Sequence, residues 1–209
     1  MGTTTQPAGY AVPGIVTPRL RYLPGLPSGT LVRSYNFAST VQGFTASAGT
    51  LTVTSGRLDY TGAGTALEAS GTPNLADFEM ECDYEDTLAG TGSPAIIFRA
   101  TDYTNGYLLV FQAGFSPAFF KLVAGTPTLL KGSTTPVDPV GRGGPWRLLI
   151  RCTGQKLEGY INGTFVLYVV DATYTTGRVG VWSDGTCHMY LDFANLYTNA
   201  VKTGNVMVP

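Results

Sequence analysis

Charge is scarce in this sequence: Asp, Glu, Lys and Arg make up 13% of 209 residues, and the formal net charge is −1. A nearly neutral chain has no electrostatic footprint for a phosphate backbone, so nucleic acid is not an expected partner. Histidine occurs once, as His188, which removes the common histidine-based zinc arrangements. Cys82, Cys152 and Cys187 are odd in number and lack metal-ligand spacing, so they read as buried free thiols rather than a disulfide framework. No apolar run reaches the length of a membrane-spanning helix, and no membrane insertion is expected. The first residues have neither the basic region nor the apolar run of a signal peptide, so synthesis in a cytoplasm without a secretion signal is expected. There is no G-x-S-x-G nucleophile elbow. The glycines at 141–144 are not followed by Lys-Ser/Thr, so they form no phosphate loop. Helical periodicity is also missing. Residues 76–84 look superficially helical, yet their apolar members alternate strictly, which is a strand period.

What is present is β-forming. Hydrophobic residues reach 44%, with 27 Gly and 13 Pro to punctuate turns. Strands are predicted near 31–37, 50–54, 56–60, 65–69, 75–85, 94–100, 106–112, 117–123, 127–131, 146–152, 156–161, 164–170, 177–182 and 188–197. Asn162-Gly163 suits a two-residue type I′ hairpin, and that role accounts for the Asn-Gly-Thr sequon it begins. Many short strands at regular spacing predict an all-β, antiparallel two-sheet sandwich. Residues 1–30 differ. Pro7, Pro13, Pro18, Pro24 and Pro27 alternate with apolar side chains, which predicts an extended docking arm seeking a surface, its own or a neighbour's. Residues 198–209 form a C-terminal tail ending in a short apolar stretch.

The order of residues Asp77-Phe-Glu-Met-Glu-Cys-Asp-Tyr84, Ala95-Ile-Ile-Phe-Arg99, Asn105-Gly-Tyr107, Trp146-Arg-Leu148, Tyr160-Ile-Asn-Gly163, Gly177-Arg-Val-Gly180 and Asp192-Phe193 resembles the concanavalin A-like lectin/glucanase (laminin-G-like) jelly-roll superfamily. The resemblance spans about 31–197 and implies a jelly-roll sandwich. That superfamily includes lectins, adhesion modules, glycoside hydrolases and viral virion proteins, so fold alone does not assign function.

Three candidate sites follow. Arg99, Asp102, Tyr103, Asn105 and Tyr107 combine polar groups with aromatic rings as sugar recognition requires, and the resemblance places glycans on the concave sheet and its rim. Trp182 beside Asp184 offers a second stacking platform. The competing reading is a hairpin whose polar residues make the turn, with Trp182 in the core. Asp102 and Asn105 also supply oxygens of the kind calcium takes; no other metal or cofactor is expected. On the second site, Asp77, Glu79, Glu81, Asp83 and Glu85 share one strand face. Neighbours on such a face lie about 6–7 Å apart. Glu79-Met-Glu81-Cys-Asp83 echoes the acidic strand of related glucanases but departs from it at the central acid. A solvated or partner-facing strand is the expected reading and catalysis the alternative. Third, His188 lacks a triad and reads as structural.

The expectation drawn from all of this is a non-enzymatic structural protein of a bacteriophage virion, a minor tail, tail-tip or capsid decoration protein. It would assemble with other virion subunits, as a homo-oligomer, and display a lectin-like module toward a host surface glycan. The alternatives are a glucanase-like glycoside hydrolase and a free carbohydrate-binding lectin.

Overall fold

The computed structural model describes residues 26–68, 75–87, 91–111, 116–134 and 144–198. Thirteen strands occur among them and no helix. They are β1 (Thr30–Tyr35), β2 (Phe44–Ala46), β3 (Thr50–Thr54), β4 (Arg57–Glu68), β5 (Phe78–Asp86), β6 (Pro94–Asp102), β7 (Asn105–Phe111), β8 (Pro117–Val123), β9 (Thr126–Gly132), β10 (Trp146–Thr153), β11 (Lys156–Ile161), β12 (Thr164–Val170) and β13 (Arg178–Thr198). All pair antiparallel, and the jelly-roll sandwich expected from the pattern is the fold.

The two layers share two long strands. The first half of β13 pairs with the end of β4 on one side and with β6 on the other, and β7, β8 and β9 follow in order. The second half of β13 pairs with the start of β4, then β1, on one side and β5 on the other, followed by β10, β11 and β12. β4 and β13 therefore bend together from one sheet into the next, with a register shift between Ser183 and Cys187. Gly62 and Gly64 take φ of 126° and 110° at this bend, a region closed to most side chains. A Cβ on Gly62 would lie 2.8 Å from the Gly49 Cα. Sequence reading divides each strand here, because glycine signals a turn; the structure runs both straight through as bent strands. β2 is a further strand that the sequence pattern does not predict.

Short turns set the register elsewhere. Asn162-Gly163 has φ of 50° and 77°, as a type I′ turn requires, and Ser55-Gly56 and Ala124-Gly125 repeat the geometry. At the far side, β12 lies against β8 and β9, so the sandwich is nearly closed into a barrel.

The core fills the space between layers with alternate residues: Phe78, Met80, Cys82 and Tyr84 from β5, Ile96 and Phe98 from β6, Tyr107, Leu109 and Phe111 from β7, and Leu148, Ile150 and Cys152 from β10. Tyr84, Phe111 and Trp146 stack on one another with centroids 4.9–5.9 Å apart. Each such fully buried aromatic or aliphatic side chain contributes about 1.5–3 kcal/mol. A second apolar cluster, with Ile97, Leu108, Val110, Leu122 and Trp182, occupies the opposite face of β6, β7, β8 and β13.

The predicted arm is described only from residue 26. Ser28 and Gly29 lie against this chain's own β5, where both backbone N–H groups donate to the Glu79 carboxylate. The remainder of the arm, and the C-terminal tail beyond Thr198, lie outside the described residues.

Candidate functional site

The 99–107 segment is a tight hairpin end between β6 and β7, and most of its polar groups are engaged within it. Asp102 accepts from the Thr104 N–H (2.7 Å), the Thr104 hydroxyl (2.8 Å) and the Asn105 amide (2.9–3.0 Å). Partial burial pushes the Asp102 carboxyl upward, but these hydrogen bonds prevail and hold it below the ordinary carboxylate range. Asn105 turns its NH₂ toward Asp102 and its oxygen toward the Ala124 N–H, 3.0 Å away. The two residues thus face each other as donor and acceptor, not as two oxygens converging on a calcium ion. Among the described residues no group of three or more His, Cys, Asp or Glu side chains gathers as a metal site.

Arg99 corrects the sequence reading most sharply. It is 1% exposed, and it donates to the carbonyls of Ala76 and Tyr174 from Nε, Nη1 and Nη2. It ties the segment before β5 and the loop before β13 to β6, and no face of it is open to a ligand. Tyr107 is likewise buried; its hydroxyl donates to Asp171 Oδ1 at 2.6 Å and accepts from the Tyr174 N–H. Asp102, Tyr103 and Asn105 are partly open, but of these only the ring of Tyr103 is an aromatic face. Its hydroxyl lies 2.9 Å from Thr45 Oγ1, and the Arg178 guanidinium sits 5.8 Å from its ring centroid. Trp182 is 6% exposed and forms one wall of a small cleft with Ser93, Val110, Phe120, Pro127 and Asp184, about 50 Å³ in volume. Ligand pockets for small molecules typically start near 300 Å³, so this cleft is too small for a sugar ring.

The acidic strand is the second correction. Its five carboxylates do share one face, but that face is covered. Register places Arg151 opposite Glu79 and Arg147 opposite Asp83. Arg151 donates to Glu79 at 2.5 Å, and Ser28 contributes a hydroxyl at 2.9 Å. Arg147 grips Asp83 through two nitrogens and reaches Glu81 at 3.1 Å, where Tyr197 also donates. Arg57 holds Glu85 at 2.6 Å, and Asp77 accepts from the Gly154 N–H. Glu79 is 0% exposed. Buried carboxylates of this kind persist only when paired, and the arginines of β10 supply the pairing. Arg147 and Arg151, four residues apart on one face of β10, were the sequence signal that would have found this ladder. Of the expected reading, a solvated or partner-facing strand, solvation holds at its ends, Asp77 and Glu85.

His188 lies 2.7 Å from Asp59, which also accepts from the Thr54 hydroxyl at 2.8 Å. This joins β13 to β4 and leaves the imidazole beside Tyr190, with centroids 4.8 Å apart.

Sequence reading missed one feature. Where the edges of the two sheets meet, β9 and β12 frame a cleft of about 340 Å³ lined by Lys131, Gly132, Ser133, Thr134, Phe165, Val166, Leu167 and Tyr168. Phe165 and Tyr168 are each 45% exposed. Lys131 and Lys156 place their ammonium groups 4.7 and 5.3 Å from the Tyr168 ring centroid. The available signal was the run Thr-Phe-Val-Leu-Tyr-Val-Val in β12: apolar at both parities, on a strand that structure places at an edge.

No protein-family model and no curated protein matches this sequence. Solved structures do. A carbohydrate-binding module, CBM66 from Bacillus subtilis, is 23% identical with a TM-score of 0.62 over 74% of this chain and 95% of that one. A Bacillus subtilis protein of unknown function with a galectin-like fold is 13% identical with a TM-score of 0.66, covering 83% and 98%. The endo-beta-1,3-glucanase from Pyrococcus furiosus is 10% identical with a TM-score of 0.60, covering 82% and 95%. At these identities the likeness defines the fold: a galectin-like, concanavalin A-like jelly roll, an architecture shared by binding modules and glucanases alike.

Proposed function

We propose that this chain is a non-catalytic carbohydrate-binding jelly-roll module, carried on a bacteriophage virion as a minor tail, tail-tip or decoration protein. The observation that carries the non-catalytic part is the pairing of Glu79, Glu81 and Asp83 with Arg151 and Arg147. Glycoside hydrolysis by paired carboxyls needs one kept protonated as the acid and a second free to act as nucleophile or base. A guanidinium at hydrogen-bond distance occupies the lone pairs of the carboxylate it meets, which leaves neither carboxyl free to reach a glycosidic oxygen or an anomeric carbon. The sugar-binding part draws its support from the shared fold with a carbohydrate-binding module and from aromatic rings left open to solvent. The virion part draws its support from sequence style alone: few charges, many glycines and a proline-studded arm.

A glycan array probed with the full chain tests the binding part; reproducible binding to at least one glycan is expected, and an array without signal removes it. Glu→Gln substitution at 79 and 81 and Asp→Asn at 83, assayed on β-glucan, tests the alternative. Hydrolysis by the wild type that disappears in the variants would establish the glucanase reading. Deleting residues 1–25 keeps the Ser28 and Gly29 contacts to Glu79 intact. This truncated chain should fold but fail to join particles, and normal incorporation would show that the arm is not the tether.

A further inference from the structure

We infer that the cleft between β9 and β12 is the subsite for an acidic saccharide, with Phe165 as the stacking face and Lys131, held over the Tyr168 ring, as the counter-ion for a sugar carboxylate. The inference deepens the carbohydrate-binding reading and rests on it. Its volume of about 340 Å³ falls within the range of sites that hold a small molecule, unlike the cleft at Trp182.

The chemistry of the lining chooses the ligand. Two aromatic rings nearly half exposed on an edge strand are costly to leave in water unless something covers them. Their centroids lie 6.4 Å apart with planes 34° from parallel, so they form a shallow angled platform instead of a stacked pair. The Phe165 side of this platform suits the apolar face of a pyranose, whose rim hydroxyls then meet Ser133 and Thr134. Among the described residues no carboxylate lines the cleft. Lys156 is neutralised by Glu158 at 2.7 Å, whereas Lys131 has no acidic partner among the described residues. In a chain of net charge −1, an ammonium held over an aromatic ring with no carboxylate beside it among the described residues is a local exception that favours an anion. The main competing occupant is a second copy of this chain. A two-fold contact centred on the cleft would bring the same surface patch together with itself, setting the lysines of one copy near those of the other. That repulsion is why a uronic-acid-type sugar fits better.

The test uses the full chain, trigalacturonate and its methyl ester, which keeps the sugar rings and removes the charge. Titration calorimetry should find trigalacturonate bound about tenfold more tightly than the ester at low salt, with the preference shrinking as salt rises. Lys131→Gln should abolish the preference, and Phe165→Ala should weaken both ligands by about tenfold or more. Equal binding of acid and ester, or unchanged binding in both variants, overturns the inference. So does light scattering that finds a wild-type dimer converted to monomer by Phe165→Ala with sugar binding unaltered, since the cleft would then be an interface between copies. Binding to neutral glycans on an array, without binding to trigalacturonate, overturns the acidic subsite and leaves the carbohydrate-binding reading standing. An absence of binding to every glycan removes both.

Discussion

Replacing Glu79 by Gln perturbs the most buried ion pair of the acidic strand. The glutamine keeps the shape but loses the charge that balances Arg151, which is 6% exposed. It also turns an NH₂ group toward donors, because Arg151 Nε, the Ser28 N–H and hydroxyl, and the Gly29 N–H all point at this one carboxylate. Hydrogen bonds to a charged group are worth about 1.5–3 kcal/mol each, but they do not add independently. Breaking a buried pair from one side costs about 3–5 kcal/mol, and the low end is expected here because Glu158 still faces Arg151 at 4.0 Å. Chemical denaturation monitored by tryptophan fluorescence should show that loss. The melting temperature should fall by roughly 6–20 °C, taking about 2–4 °C per kcal/mol for a domain of this size. The double variant Glu79→Gln/Arg151→Met should recover much of the loss, because it removes the stranded charge. Additive effects in the cycle, or a single-variant cost of less than about 1 kcal/mol, would refute the account of the acidic strand as an ion-pair ladder.

Gly180→Ala should cripple folding, because a Cβ there would sit 2.0 Å from the Ala66 carbonyl oxygen on the paired strand; soluble yield and melting temperature check this. Asp171 is pushed upward by burial, yet hydrogen bonds from Thr173, Tyr107 and Lys121 prevail and hold it well below the ordinary carboxylate range. A carboxyl whose folded pKa is lowered contributes stability above its unfolded value near 4, and that contribution is lost as pH falls through the folded value. Denaturation midpoints should therefore drop on acidification below about pH 4, and less so in Asp171→Asn. Burial pushes the Cys152 thiol up to about 12 and raises the Cys82 and Cys187 thiols as well. A thiol-specific reagent at pH 8 should label none of the three in the native chain and all three after denaturation.

Strand alternation was legible in β5, where apolar and acidic side chains alternate from Phe78 to Glu85, but not in β12, where apolar residues fall at both parities. The bends of β4 and β13 were not, because a glycine that lets a strand change sheets has the same local signature as one that ends it. Gly62 and Gly64 are of the first kind, and only their packing against Gly49 and Ala48 tells them apart from turn glycines. The sites were less legible than the fold. Arg99, Asp102, Asn105 and Tyr107 are polar residues in a loop-like stretch, which reads as a ligand site until their partners at Ala76, Thr104, Ala124 and Asp171 are in place. Apart from Thr104, a turn neighbour, those partners come from distant segments that spacing along the chain cannot bring together. The cleft at Phe165 and Tyr168 depends in the same way on which strands become edges, a property of sheet order rather than of any local pattern.

The most direct test follows the glycans themselves by proton NMR during incubation with the full chain. Line broadening or saturation transfer to at least one saccharide, with no new reducing-end signals over many hours, is the predicted result. New reducing-end signals that grow with time would mean that the arginine-paired carboxylates cleave sugar after all, contradicting the account at its centre.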